Sequence, residues 1–473
     1  MNFFLLTLRA FLFFSFGLTA HAQTWVESKS LAQLIQSPHT DSTSLYGVKD
    51  HLGRGLDGLK IEQESGINYI GVYHTLVGPD KFCLRVATST NLTAQTWTHR
   101  NDLDCDFASQ GEIKRLPDGK YLLAFEKNPS HRPFIQIRLY NSVNDLLANR
   151  VARSYDLPRT PKANSDGTPN FRWIRYDGNL DTMTIEIGFH FNRASDGKDI
   201  NAIGFVRGMK SFDSYEHTVL NRLMESKAAW HIGDRTFIQY QGRNYTLIEG
   251  MTIKNNWNSW RLFLFDEAAQ TLQSVDFSTP KNSPSHGNPN LNIIQIGNEL
   301  RLVGTVFIFE TSEGGCHLFQ RTIAKGTNIQ QYKPKVVSPP VNLNYPALQL
   351  QHQVGQPEQD GWSVNAGQVG HMLYGPYVRT LPHAPMIADI RLKVDNNTAE
   401  NHVVLSFDVY DASTGQTLAF KQIRRQELPP PGTWGTFSLP FDMRYRVGHA
   451  IEVRLYSHGI SYVKASDIRI REY

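Results

Sequence analysis

Residues 111–141 read GEIKRLPDGKYLLAFEKNPSHRPFIQIRLYN. Three apolar-rich runs are separated first by the turn sequence Pro117-Asp118-Gly119 and then by a longer polar segment. Aromatic and β-branched residues favour strands, and Pro-Asp-Gly favours a tight hairpin turn. The stretch therefore predicts two strands joined by a hairpin, followed by a third strand after a longer loop.

The same order of strand, tight turn, strand, longer loop and strand occurs five times in the chain. The other four copies begin near Gly58, Pro169, Arg235 and Asn288. Repeats of about 40–55 residues that carry several strands each are typical of β-propeller blades. The pattern predicts an all-β fold in which residues 23–335 form a five-bladed β-propeller.

An acidic or amide residue stands at or just before the start of a strand in every copy. These residues are Asp57, Glu112, Asp166, Asp234 and Asn288. Their spacing is nearly regular, and a propeller brings the same point of each blade to one central axis. We therefore expect these five side chains to gather around a single hole.

A second set of polar residues lies at the ends of the second strands, and consists of His74, Glu126, His190 and Glu249. The start of an innermost strand and the end of a second strand open on the same face of a propeller. The two sets should therefore form one acidic funnel that also contains histidine. Arg235, which follows Asp234, would neutralise part of the charge.

This funnel has the groups that hydrolysis of a glycosidic bond requires, namely one protonated carboxyl and one ionised carboxylate. Crowded carboxylates raise one another's pKa, so that one of them can stay protonated near neutral pH. The predicted catalytic residues are Asp57, Glu112, Asp166, Asp234 and Glu249. The predicted substrate-binding residues are His74, Glu126, His190, Arg235 and Asn288.

The C-terminal part of the chain has a different pattern. Residues 336–360 contain several prolines without a clear period and are predicted to be a linker. Residues 361–473 contain longer alternating strands and predict a β-sandwich of jelly-roll type. Four aromatic residues of this module would either stack on sugar rings or pack in its core. They are Trp362, Tyr374, Tyr377 and Trp434.

The N-terminal residues 1–22 are apolar and end in the small-x-small triplet Ala20-His21-Ala22. This pattern predicts a cleavable signal peptide, with the mature chain starting at Gln23, and therefore a secreted or periplasmic protein. The alternative, an uncleaved membrane anchor, is disfavoured because Arg9 interrupts a run shorter than the roughly 20 apolar residues needed to span a bilayer.

Charge and cysteine content exclude several classes of protein. The formal net charge is +4 with no basic block, so nucleic acid is not an expected partner. The three cysteines lack the CxxC spacing of a structural zinc site. In an oxidising compartment Cys83 and Cys105 are candidates for a disulfide, which would leave Cys316 as a free thiol.

A family resemblance follows from these residues. An exported five-bladed propeller with Asp57, Asp166 and an acid in blade four, followed by a jelly-roll module, resembles the propeller glycoside hydrolases of the arabinanase/xylosidase type. In that superfamily a blade-one Asp is the base, a blade-three Asp adjusts pKa values and a blade-four Glu is the acid. The resemblance implies that Asp57 is the base and Asp166 the modulator. The blade-four position holds Asp234 instead of Glu, and Glu249 is the nearest glutamate.

Alternative interpretations of these residues remain open. Asp57-Gly58 and Asp166-Gly167 are common turn dipeptides, and Asp234 with Arg235 would suit a structural ion pair. As a whole, the funnel would also suit a glycan-binding lectin without catalysis, or a polysaccharide lyase that uses a histidine base and a positive group. No cofactor is required, although an acidic funnel is suited to Ca²⁺ through oxygen ligands.

Overall fold

The computed structural model describes residues 24–36, 43–65, 68–79, 81–129, 132–161, 163–227, 230–309, 313–332, 336–382, 384–443, 446 and 448–472. The predicted signal peptide lies outside these residues. Five of the seven sheets surround one axis, as a five-bladed propeller requires. The innermost strand of each blade contacts the innermost strand of the next, and the fifth contacts the first, which closes the ring. The predicted fold class, a five-bladed propeller followed by a β-sandwich, is confirmed.

The strands of the first three blades succeed one another from the axis outward. Blade one contains the strands Asp57–Ser65, Asn68–Gly78, Lys81–Ser89, Thr96–Asp104 and Lys49–Asp50. Blade two contains Ala108–Arg115, Tyr121–Lys127, Phe134–Tyr140 and Arg153–Asp156. Blade three contains Ala163–Arg175, Thr184–Arg193, Asp199–Arg207 and Ser211–Glu216, with Val337–Ser338 beside the innermost strand.

The last two blades follow the same plan. Blade four contains His231–Tyr240, Arg243–Met251, Trp260–Asp266 and Thr271–Val275. Blade five contains His286–Ile296, Glu299–Ile308, Gly315–Lys325 and Trp25–Val26, with Leu45–Tyr46 also paired to the third strand. Each blade thus has a fourth, outer strand that the sequence pattern did not predict. In blade five this strand comes from the N-terminal segment, where Trp25 pairs with Lys325 and closes the propeller.

Helices are few and short. The α-helices are Leu31–Gln36, Val143–Leu147 and Thr218–Ser226. The 3₁₀ helices are Trp257–Ser259, Ile329–Tyr332, Ala347–Gln349 and Arg425–Glu427. The first helix buries Leu31, Leu34 and Ile35 in the apolar core shared by blades four and five.

The C-terminal module has two sheets around one apolar core. One sheet contains Gln356–Glu358, Gly361–Val364, Val463–Glu472, Pro385–Val394, Trp434–Asp442 and Asn342–Pro346. The other contains Val369–Leu373, Pro376–Val378, Ile451–His458, Val403–Asp411 and Gln416–Arg424. Strands alternate apolar and polar residues because one face of each sheet packs on the core.

The segment predicted to be a linker, 336–360, contributes strands to both modules. Val337–Ser338 pairs in parallel with blade three, whereas Asn342–Pro346 pairs with the last strand of the sandwich. Pro339 and Pro340 follow the first of these strands and Pro346 ends the second, whereas Pro357 is the middle residue of the short edge strand Gln356–Glu358, where a missing N–H is tolerated. The two modules are also joined by an ion pair between Arg175 Nε and Glu472 Oε1 at 2.7 Å.

Two cysteines form a disulfide. Cys83 on the third strand of blade one is bonded to Cys105 in the connection to blade two. Cys316 is a buried free thiol. The only cluster of cysteine, histidine and carboxylate groups close enough to hold a metal ion among the described residues is Cys83, Asp102 and Cys105. Since both of its thiols are in the disulfide, this cluster is not a metal site.

Candidate active site

All five innermost strands carry a β-bulge at the same point of their pairing with the second strand. In blade one Asp57 pairs with His74 and Lys60 pairs with Val72, so that two residues of the inner strand oppose one of its neighbour. The same shift occurs after Ser109, Gly167, Ile232 and Gly287 in the other blades. Bulges bend a strand and redirect its side chains. The bulges lie next to a cavity at one end of the propeller.

We call the last inner-strand residue that is paired before the bulge, such as Asp57 in blade one, the bulge start. The residue that follows the bulge start has a positive φ in four blades. These residues are Gly58 at 61°, Gln110 at 52°, Thr168 at 48° and Asn288 at 46°. A non-glycine residue in this region is uncommon and is a form of local backbone strain that clusters at functional sites. The repeated conformation shows that the bulge belongs to the blade and is not a local irregularity.

The bulge provides a common position for comparing the blades, and it corrects the predicted register. Asp57 stands at the bulge start, but Asp166 precedes that position by one residue, Asn288 follows it by one, Asp234 by two and Glu112 by three. The prediction that the five residues share one register is therefore wrong. A shift of one residue turns a side chain to the opposite face of its strand.

A cavity of about 850 Å³ opens at the end of the propeller where the bulges lie. It is lined by Asp57, His74, Leu76, Phe82, Ser109, Gln110, Glu126, Thr168, His190, Asp199, His231, Ile232, Gly233, Glu249, Met251, Asn255, Trp257, Trp260, Asn288, Phe307 and Phe309. Six of the predicted site residues are among them: Asp57, His74, Glu126, His190, Glu249 and Asn288. The other four, Glu112, Asp166, Asp234 and Arg235, do not line the cavity.

Asp234 and Glu112 are paired with lysines on the inner strands. The Lys60 ammonium lies 2.5 Å from Asp234 Oδ2 and also donates to the carbonyl oxygen of Pro289 at 2.9 Å. Glu112 Oε1 lies 3.5 Å from Lys114 Nζ. Lys60 and Asp234 are almost completely buried, so their pairing offsets the cost of burying either charge alone.

These pairs also bear on the suggested calcium site. Both acidic groups that would have supplied oxygen ligands near the axis are already beside an ammonium group. A divalent cation there would be repelled by Lys60 in a buried environment with weak screening. Asp234 and Glu112 are therefore unsuited to hold a calcium ion, and calcium elsewhere in the funnel stays a prediction.

Asp166 and Arg235 have structural contacts. Asp166 Oδ2 accepts a hydrogen bond from the backbone N–H of Thr160 at 2.8 Å, which ties the preceding loop to blade three. The Arg235 guanidinium donates to the carbonyl oxygen of Phe189 at 2.8 Å and to Asn201 Oδ1 at 2.7 Å. It thereby joins blades three and four instead of facing a substrate.

Asp57 on the innermost strand of blade one is paired with His74 on the neighbouring second strand. Burial raises the pKa of Asp57 to about 6. Burial, together with the charge of Lys60, lowers the pKa of His74 to about 4, so its imidazole is neutral at pH 7. His74 Nδ1 accepts a hydrogen bond from the backbone N–H of Gln110 at 3.4 Å. An aspartate whose pKa lies this close to neutrality is suited to proton transfer.

Glu126 and His190 lie together in front of Gly167. A Cβ atom at Gly167 would be 2.5 Å from Glu126 Oε2 and 3.4 Å from His190 Cε1, so only glycine leaves room for both. Burial, and secondarily the charges of Asp199 and Asp234, raise the pKa of Glu126 to about 7, although the N–H of Thr168 opposes this. Burial lowers the pKa of His190 to about 4, and its Nδ1 is 2.6 Å from the Thr168 hydroxyl.

Glu249 reaches the cavity from a different position than predicted. The residue of blade four equivalent to His74, Glu126 and His190 is Gly250, because Gly250 pairs with the bulge start. Glu249 Oε1 accepts from the N–H of Asp234 at 2.6 Å, and Oε2 accepts from the N–H of Asn288. Burial and the charge of Asp234 raise the pKa of Glu249 to about 8, against the effect of the two amide donors.

Two titratable residues of the cavity, Asp199 and His231, were missed by the sequence analysis. Asp199, at the start of the third strand of blade three, accepts from Asn192 Nδ2 at 2.9 Å and from the N–H of Ile232 at 3.2 Å. It also lies 3.0 Å from His231 Nδ1. Burial would raise the pKa of Asp199, but the hydrogen bond from His231 and the neighbouring charges hold it below its usual value. No repeated sequence position marks this pair.

The aromatic side of the cavity was also missed. It consists of Trp257, Trp260, Phe307 and Phe309, which we call the aromatic wall. Neighbouring rings in the wall have centroids 5.1–6.5 Å apart. Trp257 lies in the loop between the second and third strands of blade four, a region for which strand periodicity makes no prediction.

The four aromatic residues suggested as a platform in the second module do not form one surface. Trp362 and Trp434 belong to one sheet, whereas Tyr377 belongs to the other. Trp362 stacks on His352 at 3.4 Å between ring centroids and donates its indole N–H to the carbonyl oxygen of Val354. Its role is therefore packing within the module.

Comparisons with known proteins concern the fold. No family model matches the chain, and no curated protein matches its sequence. A GH32 β-fructofuranosidase of Bombyx mori is 11% identical, with a TM-score of 0.40, over 91% of this chain and 94% of its own. The GH43B protein of the Bacteroides ovatus xyloglucan locus is 10% identical, with a TM-score of 0.37, over 89% and 98%. The resemblance to propeller glycoside hydrolases is one of outline, as predicted, and with TM-scores of only 0.40 and 0.37 it carries no information about the cavity.

Proposed function

We propose that the protein is an exported glycoside hydrolase whose reaction takes place in the cavity at the end of the propeller axis. The supporting observation is that three carboxyl groups from three blades, Asp57, Glu126 and Glu249, line one cavity and have pKa values raised to between about 6 and about 8. Glycosidic hydrolysis uses a protonated and an ionised carboxyl in one site.

Among the three, Asp57 is proposed to act as the base or nucleophile. Its pKa of about 6 is the lowest of the three, so it is the group that is ionised first as pH rises. No hydrogen bond from another described residue reaches its carboxylate, which leaves the oxygens available to water or substrate. Asp57 is also the residue that the predicted family resemblance marks as base.

Glu126 is the proposed proton donor. Its pKa of about 7 keeps it largely protonated at slightly acidic pH. Glu249 has an even higher pKa, but both of its oxygens accept hydrogen bonds from backbone N–H groups, those of Asp234 and Asn288, which hold the side chain against the inner strands of blades four and five. We therefore assign Glu249 to fixing the bulges of blades four and five. The neutral imidazoles of His74 and His190 would bind sugar hydroxyl groups.

Export is proposed from two features. Residues 1–22 have the pattern of a signal peptide, and the Cys83–Cys105 disulfide is of the kind that persists in oxidising compartments. In the part of the chain that the structure describes, no helix has the length and apolar character to cross a bilayer.

The lyase alternative is less well supported. Abstraction of a proton next to a uronate carboxylate needs a positive group to neutralise that carboxylate. None of the described residues that line the cavity is a lysine or an arginine, and Arg235 is directed to Phe189 and Asn201. The lectin alternative has the same cavity and differs only in the absence of turnover.

The proposal is tested by measuring reducing sugar released from a panel of plant, algal and host polysaccharides. We expect hydrolysis by the wild-type protein and a loss of about 100-fold or more in Asp57→Asn, since general acid–base groups contribute about that much. Asp166→Asn is the matched control, because burial also raises the pKa of Asp166 to about 6 but its side chain does not line the cavity.

Three results would contradict the proposal. Equal loss of activity in both variants, with both proteins folded, would place the reaction elsewhere. Retained glycan binding without product from any polysaccharide would favour the lectin. Release of an unsaturated product that absorbs in the near ultraviolet would instead indicate a lyase.

A further inference from the structure

The cavity is chemically two-sided. The aromatic wall comes from blades four and five, whereas Asp57, His74, Glu126, His190 and Asp199 come from blades one to three, and His231 and Glu249 of blade four are the acidic and imidazole residues that lie on the side of the wall. Aromatic faces bind the apolar faces of pyranose rings, and carboxyl groups react with the glycosidic oxygen or bind hydroxyl groups. A substrate that contacts both the wall and the carboxyl groups presents an apolar ring face to the one and hydroxyl groups or a glycosidic oxygen to the other.

Trp257 extends the aromatic wall to the cavity mouth. Its side chain is 63% exposed, compared with 7% for Trp260 directly beside it. Its ring centroid is 5.8 Å from that of Phe309 and 6.1 Å from that of Trp260. A single exposed aromatic residue is ordinary on a protein surface. The Trp257 ring lies beside the rings of Trp260 and Phe309, so it extends the aromatic wall to the solvent, where a ligand can stack on it.

The backbone around Trp257 is well anchored. The Ser285 hydroxyl donates to the carbonyl oxygen of Trp257 at 2.5 Å. The Ser259 hydroxyl accepts from the N–H of Ile253 at 3.0 Å and lies 2.7 Å from the carbonyl oxygen of Asn256. Because these bonds fix the loop, little conformational entropy is lost when a ligand stacks on the exposed indole.

The charge of the cavity restricts the ligand. Apart from three histidines, its titratable lining residues are all acidic, namely Asp57, Glu126, Asp199 and Glu249, and none of the described lining residues is a lysine or an arginine. A uronate or sulfate group would find no lysine or arginine partner here, and would be repelled by Asp199 and by Asp57 once that carboxyl is ionised. An uncharged sugar meets no such penalty.

We propose that the aromatic wall is a binding site for uncharged pyranose units next to the bond that is cleaved, with Trp257 stacking on the outermost unit. This inference rests on the proposed function and gives it a substrate class, neutral oligosaccharides or polysaccharides that extend out of the cavity. Trp257 is a positioning and specificity residue in this assignment, and it does not touch the reacting atoms.

The first experiment compares substrates of different length in Trp257→Ala. With neutral oligosaccharides of several units we expect KM to rise about tenfold, which corresponds to the loss of one aromatic stacking contact. With an aryl glycoside of a single sugar, kcat and KM should not change. Trp25→Ala is the matched control, since Trp25 is 48% exposed but lies on the outer strand of blade five.

The second experiment measures binding without turnover. In an Asp57→Asn background, intrinsic tryptophan fluorescence is titrated with cello-, xylo- and manno-oligosaccharides and, for comparison, with oligogalacturonate. We expect a spectral change with at least one neutral series, about tenfold weaker binding when Trp257→Ala is added, and no comparable binding of the galacturonate.

The outcomes separate this inference from the proposed function. Trp257-dependent binding of neutral chains without any hydrolysis would retain the aromatic wall as a binding site and reject the hydrolase. If Trp257→Ala affected the hydrolysis of short and long substrates equally, the hydrolase proposal would stand and the aromatic wall would be rejected as a binding site. Tighter binding of the galacturonate, or no binding of any neutral series, would also overturn it.

Discussion

At the residue scale, the raised pKa values have one common physical cause. Glu249 is buried and Asp57 and Glu126 are partly buried in the cavity wall, and desolvation is the largest contribution to the pKa shift of all three. Desolvation penalises the ionised form of a carboxyl group. Lys60 is close enough to oppose this effect at Glu249, but its ammonium group is paired with Asp234. Because Lys60 is paired with Asp234, it neutralises the carboxyl groups that line the cavity only weakly.

This arrangement predicts a narrow, bell-shaped dependence of kcat/KM on pH. Activity should rise as Asp57 ionises, with a limb near pH 6, and fall as Glu126 loses its proton, with a limb near pH 7. In Glu126→Gln the alkaline limb should disappear. A dinitrophenyl glycoside, whose leaving group needs no proton, should then be hydrolysed far better than a natural substrate. If Glu249→Gln shows this behaviour and Glu126→Gln does not, Glu249 is the acid.

At the scale of elements, the bulges and their glycines decide which side chains reach the cavity. The Glu249 carboxylate fits between the inner strands of blades four and five because Gly233 and Gly287 have no side chains. A Cβ atom at Gly287 would lie 2.5 Å from Glu249 Oε2 and 2.6 Å from Phe309 Cε2. The same glycine therefore makes space for an acidic group on one side and for the aromatic wall on the other.

Replacement of this glycine should be costly. We expect Gly287→Ala to destabilise the protein by about 1–3 kcal/mol, because the added methyl group overpacks a filled region. The measurement is urea unfolding followed by tryptophan fluorescence. Gly78→Ala serves as the control, since a Cβ atom there meets only Lys81 Cβ at an ordinary 3.8 Å. An unchanged urea midpoint in Gly287→Ala would show that Glu249 and Phe309 move aside for the methyl group with little loss of unfolding free energy.

Sequence patterns were reliable for these elements where side chains alternate and turns have distinctive residues. The hairpins around Pro117-Asp118-Gly119 and Gly297-Asn298 form as predicted between neighbouring strands. The outer strands Arg153–Asp156 and Ser211–Glu216 were missed because they are short and largely exposed, so they lack an apolar pattern. The bulges were missed because one extra residue leaves no mark in residue spacing.

At the scale of the whole molecule, the N-terminal segment closes the propeller. Trp25–Val26 completes blade five, and the helix Leu31–Gln36 packs in the core between blades four and five. Since a closed ring has no free edge between its first and last blades, the closing segment stabilises the entire domain. A ring of five blades also brings residues from distant parts of the chain into one cavity.

The closing segment should accordingly contribute to global stability. Leu34 is 3% exposed, and we expect Leu34→Ala to lower the free energy of unfolding of the propeller by about 2–5 kcal/mol. Differential scanning calorimetry on the full chain provides the measurement. Leu348→Ala, at a leucine that is 49% exposed, should have little effect. Similar small changes in both variants would mean that the helix is not part of the cooperative unit.

The sequence by itself determined the all-β class, the five repeats and the kind of groups in the site, because apolar alternation and turn residues are local properties. It also identified Asp57, His74, Glu126 and His190, which stand where strands begin or end. Only the tertiary structure decided that Asp166, Asp234, Glu112 and Arg235 are directed elsewhere, and that Asp199, His231 and the aromatic wall belong to the cavity. The physical reason is that a bulge reverses the direction of a side chain, and the pairing of strands from different blades decides which residues meet.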